Sequence, residues 1–112
     1  MTSPVSYREL LKSRGVSLET IGIAEKAVLL EDALRAVELI EFEGRAILGG
    51  DVYIAYGGGI ESAYANWHSD RQLDELSEEF VARSCAETRS YLINYSAPPK
   101  GQVLFVLVVQ DE

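Results

Sequence analysis

A chain of 112 residues with 47% hydrophobic and 25% charged side chains has the size and apolar content for one globular core, which excludes a disordered chain and a two-domain division. Its single cysteine, Cys85, excludes an internal disulfide and a cysteine-built zinc site, and suits a reducing compartment. Eighteen acidic against ten basic residues give a net charge of −8, a field that repels nucleic acid and anionic membrane and leaves open either a basic partner or plain dispersal by charge.

Met1 to Glu9 carries neither the basic stretch nor the apolar run of a secretory signal. No segment approaches the roughly 18 apolar residues of a membrane span, so a cytoplasmic protein is expected. Ser6, with Glu9 three residues later, forms the capping signature of a short helix running to Arg14, where Gly15 stops it. Residues 16–29 show no clear period, although Lys26 to Leu29 is short and apolar enough for an edge strand. From Leu30 to Glu43, Leu30, Ala33, Leu34, Val37 and Ile40 recur at the spacing of a buried helical stripe, and Gly44 ends it.

Arg45 to Leu48 and Asp51 to Tyr56 read as extended chain interrupted by a glycine bulge at Gly49-Gly50, with Asp51 accepting a bond from nearby backbone. Gly57-Gly58-Gly59 supplies a hairpin loop, and Ile60 to Trp67 the returning arm. A second long helix is predicted over Leu73 to Asn94, with Leu76, Phe80, Val81, Cys85, Tyr91 and Leu92 on its inner face. Pro98-Pro99 makes the next connection rigid. Val103 to Val109 is a continuous β-prone run, which suits a strand covered on both faces at the centre of the sheet. The whole chain therefore reads as a single α+β domain, a mainly antiparallel sheet of three or four strands flanked by two long helices and one short one.

Candidate chemistry is sparse. Gly49-Gly50-Asp51 lacks the longer glycine pattern and following helix of a phosphate cradle. His68 and Asp70 are two residues apart, but without a second histidine or a cysteine pair they fall short of a zinc site. Ser69 and Cys85 have no nucleophile context. No cofactor or metal is called for. An enzyme using Asp51, His68 and Asp70 is the rival reading, and an adaptor with some other partner is a third. Asp70, Asp74, Glu75, Glu78 and Glu79 form the densest acidic run, which Glu61 could extend along the hairpin. Helix-dipole stabilisation accounts for part of it, and an acidic docking edge for a basic partner stays open for the remainder. Tyr64 and Trp67 are its candidate aromatic anchors, with Trp67 alternatively placed in the core.

Asp32-Ala33-Leu34, Ile47-Leu48-Gly49-Gly50-Asp51-Val52-Tyr53, Tyr64-Ala65-Asn66-Trp67 and the apolar C-terminal strand together resemble the immunity protein 40 family. These are small bacterial proteins of polymorphic toxin systems. The resemblance implies an α+β fold, no enzymatic activity, and neutralisation of a cognate toxin domain by binding it.

Overall fold

The computed structural model describes residues 4–111; the signal reading that touches Met1 to Ser3 lies outside them. Helix α1, Tyr7–Arg14, starts where the Ser6 hydroxyl accepts the Glu9 amide at 3.1 Å and stops where the Gly15 amide returns to the Leu11 carbonyl. Residues 16–29, which lack a period of their own, become a two-residue strand β1 (Val16–Ser17), a 3₁₀ turn (Glu19–Ile21) and strand β2 (Lys26–Leu29). Their order comes from the neighbouring ladder, since two to four residues cannot specify a strand alone.

Then follow α2 (Leu30–Phe42), β3 (Ile47–Tyr56), β4 (Gly59–His68), α3 (Ser77–Asn94) and β5 (Gln102–Val109). The sheet runs β1-β2-β5-β3-β4, antiparallel throughout. The short β1 carries it to five strands and takes the edge, so β2 is interior and not the edge strand expected. β5 is central, as its unbroken apolar run predicts. Phe105 and Leu107 join Val28, Ile47 and Val52 beneath the helices, while Leu104 and Val106 join Leu18, Ala27 and Tyr53 on the opposite face. Each of the Val, Leu, Ile and Phe side chains among these, once fully buried, contributes roughly 1.5–3 kcal/mol.

On α2 the inner face is Ala33, Ala36, Val37, Leu39 and Ile40, while Leu30, at the first turn, stays 41% exposed. Gly44 at φ 72° then reverses the chain into β3. Gly57 and Gly58, at φ 62° and 84°, form a two-residue hairpin turn, and Gly59 already belongs to β4. Positive φ at both central residues matches the twist of the flanking strands, which is why two glycines suffice and three are not needed.

β4 is the free edge of the sheet. Tyr53 pairs with Ser62 and Asp51 with Asn66, so Val52 alone faces Ala63, Tyr64 and Ala65. The excess is taken up at Tyr64, whose φ is 56° and whose side chain is 94% exposed. A bulge of this kind interrupts the row of backbone donors and acceptors that would otherwise recruit another strand.

Candidate partner-binding surface

The end of β4 is fixed by one aromatic ring. Trp67 stacks on Tyr91 of α3 at 4.5 Å between centroids and meets Phe105 of β5 edge-on at 6.4 Å. Its indole N–H donates to the Thr88 hydroxyl at 3.0 Å. Gly50, its partner across the ladder, makes room: a Cβ there lies 2.3 Å from the ring's Cη2 and 2.3 Å from the Val106 carbonyl oxygen. A Cβ on Gly49 meets the Trp67 carbonyl oxygen at 2.3 Å. The two glycines thus serve close approach of strand and ring. A register shift against β5 falls between Ile47 and Gly49, at Leu48; the bulge expected at Gly49-Gly50 is therefore one residue earlier, and both glycines stay paired within an unbroken β3. The Asp51 carboxylate, however, accepts no hydrogen bond among the described residues and stands exposed opposite Asn66, correcting its expected role as a backbone acceptor.

Beyond His68 the chain enters a loop that the sequence reading assigns in part to the helix. Helix α3 starts at Ser77 and not at Leu73, because Asp74 adopts φ 66° and the Leu76 amide is taken by the Glu79 carboxylate at 2.8 Å. Arg83, from the second turn of α3, reaches back into the loop. Its Nε donates to Glu75 Oε2 at 2.7 Å, and its Nη2 donates both to Glu75 Oε1 at 2.9 Å and to the Asp70 carbonyl. Its Nη1 donates to Glu87 at 3.0 Å, and the same carboxylate oxygen accepts from the buried Ser69 hydroxyl at 2.6 Å. Glu75 Oε1 also accepts the Gln72 amide, while its own carbonyl accepts from Arg71. The hydrogen bond from Arg83, then that from the Gln72 amide, hold the Glu75 carboxyl down to about 2, and the same pairing raises Arg83 further.

Loop 70–76 is therefore a clasped structure. It leaves Leu73 94% and Leu76 61% exposed, whereas Leu76 was expected on the inner face of the helix. Phe80, Cys85 and Leu92 do face inward, joined by Ser84 and Thr88. Ser84 accepts the Ile47 amide at 3.0 Å, so this polar pair docks α3 onto both strands of the hairpin. The Cys85 thiol is pushed up to about 11, by burial first and by the charge of Glu41 second.

The predicted acidic edge divides in two. Asp70, Asp74, Glu78 and Glu79 are exposed around the loop and the first turn of α3. Glu75 lies among them, but its carboxylate is turned onto Arg83 and its side chain is only 9% exposed. Glu61 sits near the hairpin tip opposite Ile54, seven residues up the strand from His68 and hence on the order of 20 Å away. Tyr64 projects from the bulge between them. Trp67 is part-buried and held by three partners, so its ring is a wedge inside the domain and not an exposed anchor.

The residues of the rival enzyme reading do not converge. His68 Nε2 and Asp70 Oδ2 are 3.9 Å apart with side chains 75% and 89% exposed, too far for a hydrogen bond and open to water. Asp51 belongs to a different ladder pair from His68. Among the described residues no group of three His, Cys, Asp or Glu side chains is placed to hold a metal, and no helix is long and apolar enough to cross a membrane.

Compared with known families, the chain matches immunity protein 40 over residues 17–109. That span is most of its length and runs from the last residue of β1 through the end of β5, so the chain belongs to this family. Neither curated proteins nor solved structures gave a match.

Proposed function

We propose that this member of the immunity protein 40 family is a cytoplasmic antitoxin of a bacterial polymorphic toxin system, which neutralises a cognate, basic toxin domain by binding it and performs no chemistry of its own. Family membership over residues 17–109 carries this reading. The surface chemistry supports an acidic contact. Asp74 and Glu78 are exposed with no ion-pair partner among the described residues, and both project from backbone that Arg83 and Glu79 hold in place. Such carboxylates keep their full field for an approaching cation. Tyr64, exposed on the edge bulge, extends the contact, and Glu61 adds a second acidic point at the hairpin tip.

An inhibitor of this kind is steered by charge and held by burial. Mixing the purified chain with the toxin domain encoded beside it, over a salt series, tests the reading. Association is expected to slow as salt rises, while dissociation changes little. Replacing Asp70, Asp74 and Glu78 by lysine is expected to slow association further at low salt; Glu75 stays out of that set because it holds Arg83. Absence of a complex with the toxin domain, or a toxin left active in its presence, overturns the antitoxin reading.

A further inference from the structure

Two local rules are broken within four residues of one another, beside an unusual backbone turn. Leu73 is an apolar side chain left 94% exposed, and Leu76, 61% exposed, occupies the N-cap of α3, a position where leucine is among the poorest choices and Ser, Thr or Asp the best. Asp74 between them takes φ 66°, a left-handed conformation uncommon for a residue with a Cβ, although aspartate tolerates it better than most. What holds the turn is visible. Glu75 and Arg83 share two hydrogen bonds, Arg83 also holds the Asp70 carbonyl, and the Glu79 carboxylate closes the Leu76 amide.

Resting on the antitoxin reading, we infer that Leu73 and Leu76 are the apolar anchor of the toxin interface, presented ready-shaped by the Glu75–Arg83 clasp and seated in an apolar pocket whose rim is lysine- or arginine-rich. The character of the occupant follows from charge. Asp70, Asp74, Glu78 and Glu79 flank the two leucines along the chain, and among the described residues of 70–79 Arg71 is the one exposed cation, so a neutral or acidic pocket would meet uncompensated carboxylates at its edge, and a second copy of this chain, itself at −8, would do the same. Apolar centre and charged rim are the arrangement of energetically dominant contacts. A loop already fixed in its bound shape loses little freedom on docking.

The test uses the full chain and the same toxin domain, reading affinity and melting temperature together. Leu73→Ala is expected to weaken binding roughly ten- to hundredfold, the effect of losing a fully buried leucine at an interface, with the melting temperature unchanged. Leu76→Ser is expected to weaken binding while raising the melting temperature, because serine is the better cap. If the wild-type chain fails to bind the toxin domain, the antitoxin reading itself falls. If it binds and both leucine variants bind as tightly, only the anchor falls. A lowered melting temperature for Leu73→Ala shows the leucine to be a packing residue and overturns the anchor as well. Self-association of the free chain that Leu73→Ala abolishes makes a second copy the occupant and overturns the basic-pocket assignment.

Discussion

Trp67 and Leu73 stand six residues apart on one passage of chain from β4 to α3, and their surroundings are opposite. Trp67 is gripped by Tyr91, Phe105 and Thr88. Leu73 touches solvent over 94% of its accessible area. Both are apolar, so apolarity did not decide between them. The facing backbone did. Opposite Trp67, Gly50 withdraws its side chain and lets the ring down onto the sheet; around Leu73, a polar clasp between Glu75 and Arg83 fixes the loop where no apolar surface awaits it. One region spends its geometry on stability and the other on presentation.

Gly50→Ala attacks that contrast most directly. Its Cβ would collide with the Trp67 ring and, at the same distance, with the Val106 carbonyl oxygen; the backbone atom cannot rotate away. Overpacking of this kind destabilises by about 3 kcal/mol or more, and a melting curve like that of the wild type refutes the close-approach role of the glycine. Trp67→Ala follows, at about 3 kcal/mol, near the low end for loss of a large aromatic because the ring is only part-buried. In a domain of this length that is a fall in melting temperature of roughly 10 °C. A variant that keeps its melting temperature but loses the toxin domain returns Trp67 to the interface.

The clasp has an acid signature. Because the folded Glu75 carboxyl is held to about 2, against an ordinary value of 4.5, its contribution is whole above about pH 4.5 and is lost as the pH falls toward 2. The difference in melting temperature between wild type and Glu75→Gln is therefore expected to shrink across that window. A constant difference from pH 6 to pH 2.5 removes the clasp from the account. Cys85 supplies a smaller effect: with its thiol buried and raised to about 11, it should resist a disulfide reagent at pH 8 until the protein unfolds. Reaction as fast as that of a free thiol contradicts its place in the core. Smallest of all is Asp51→Ala, expected to shift stability by less than about 0.5 kcal/mol, the usual range for a surface side chain without partners. A loss of a full kcal/mol points to a contact with backbone after all.

By itself the sequence determined the α+β class, the short first helix from Ser6 and Glu9, the stripe of α2, the glycine hairpin and the central place of Val103 to Val109. Each rests on a signal within one segment: a cap, a period of 3.6, paired glycines, an unbroken apolar run. It also carried the family resemblance, through Gly49-Gly50-Asp51-Val52-Tyr53 and Asn66-Trp67. Tertiary structure decided everything that depends on what lies opposite. Lys26 to Leu29 became an interior strand because β5 offered it a ladder on one side and Val16–Ser17 took the edge on the other. Ser84 and Thr88, polar in sequence, were buried because Ile47 and Trp67 brought them donors. Leu76 moved from a helix's inner face to an exposed cap because Glu79 and Arg83 closed the loop before it, a choice made by hydrogen bonds between residues up to thirteen apart, which no local periodicity records.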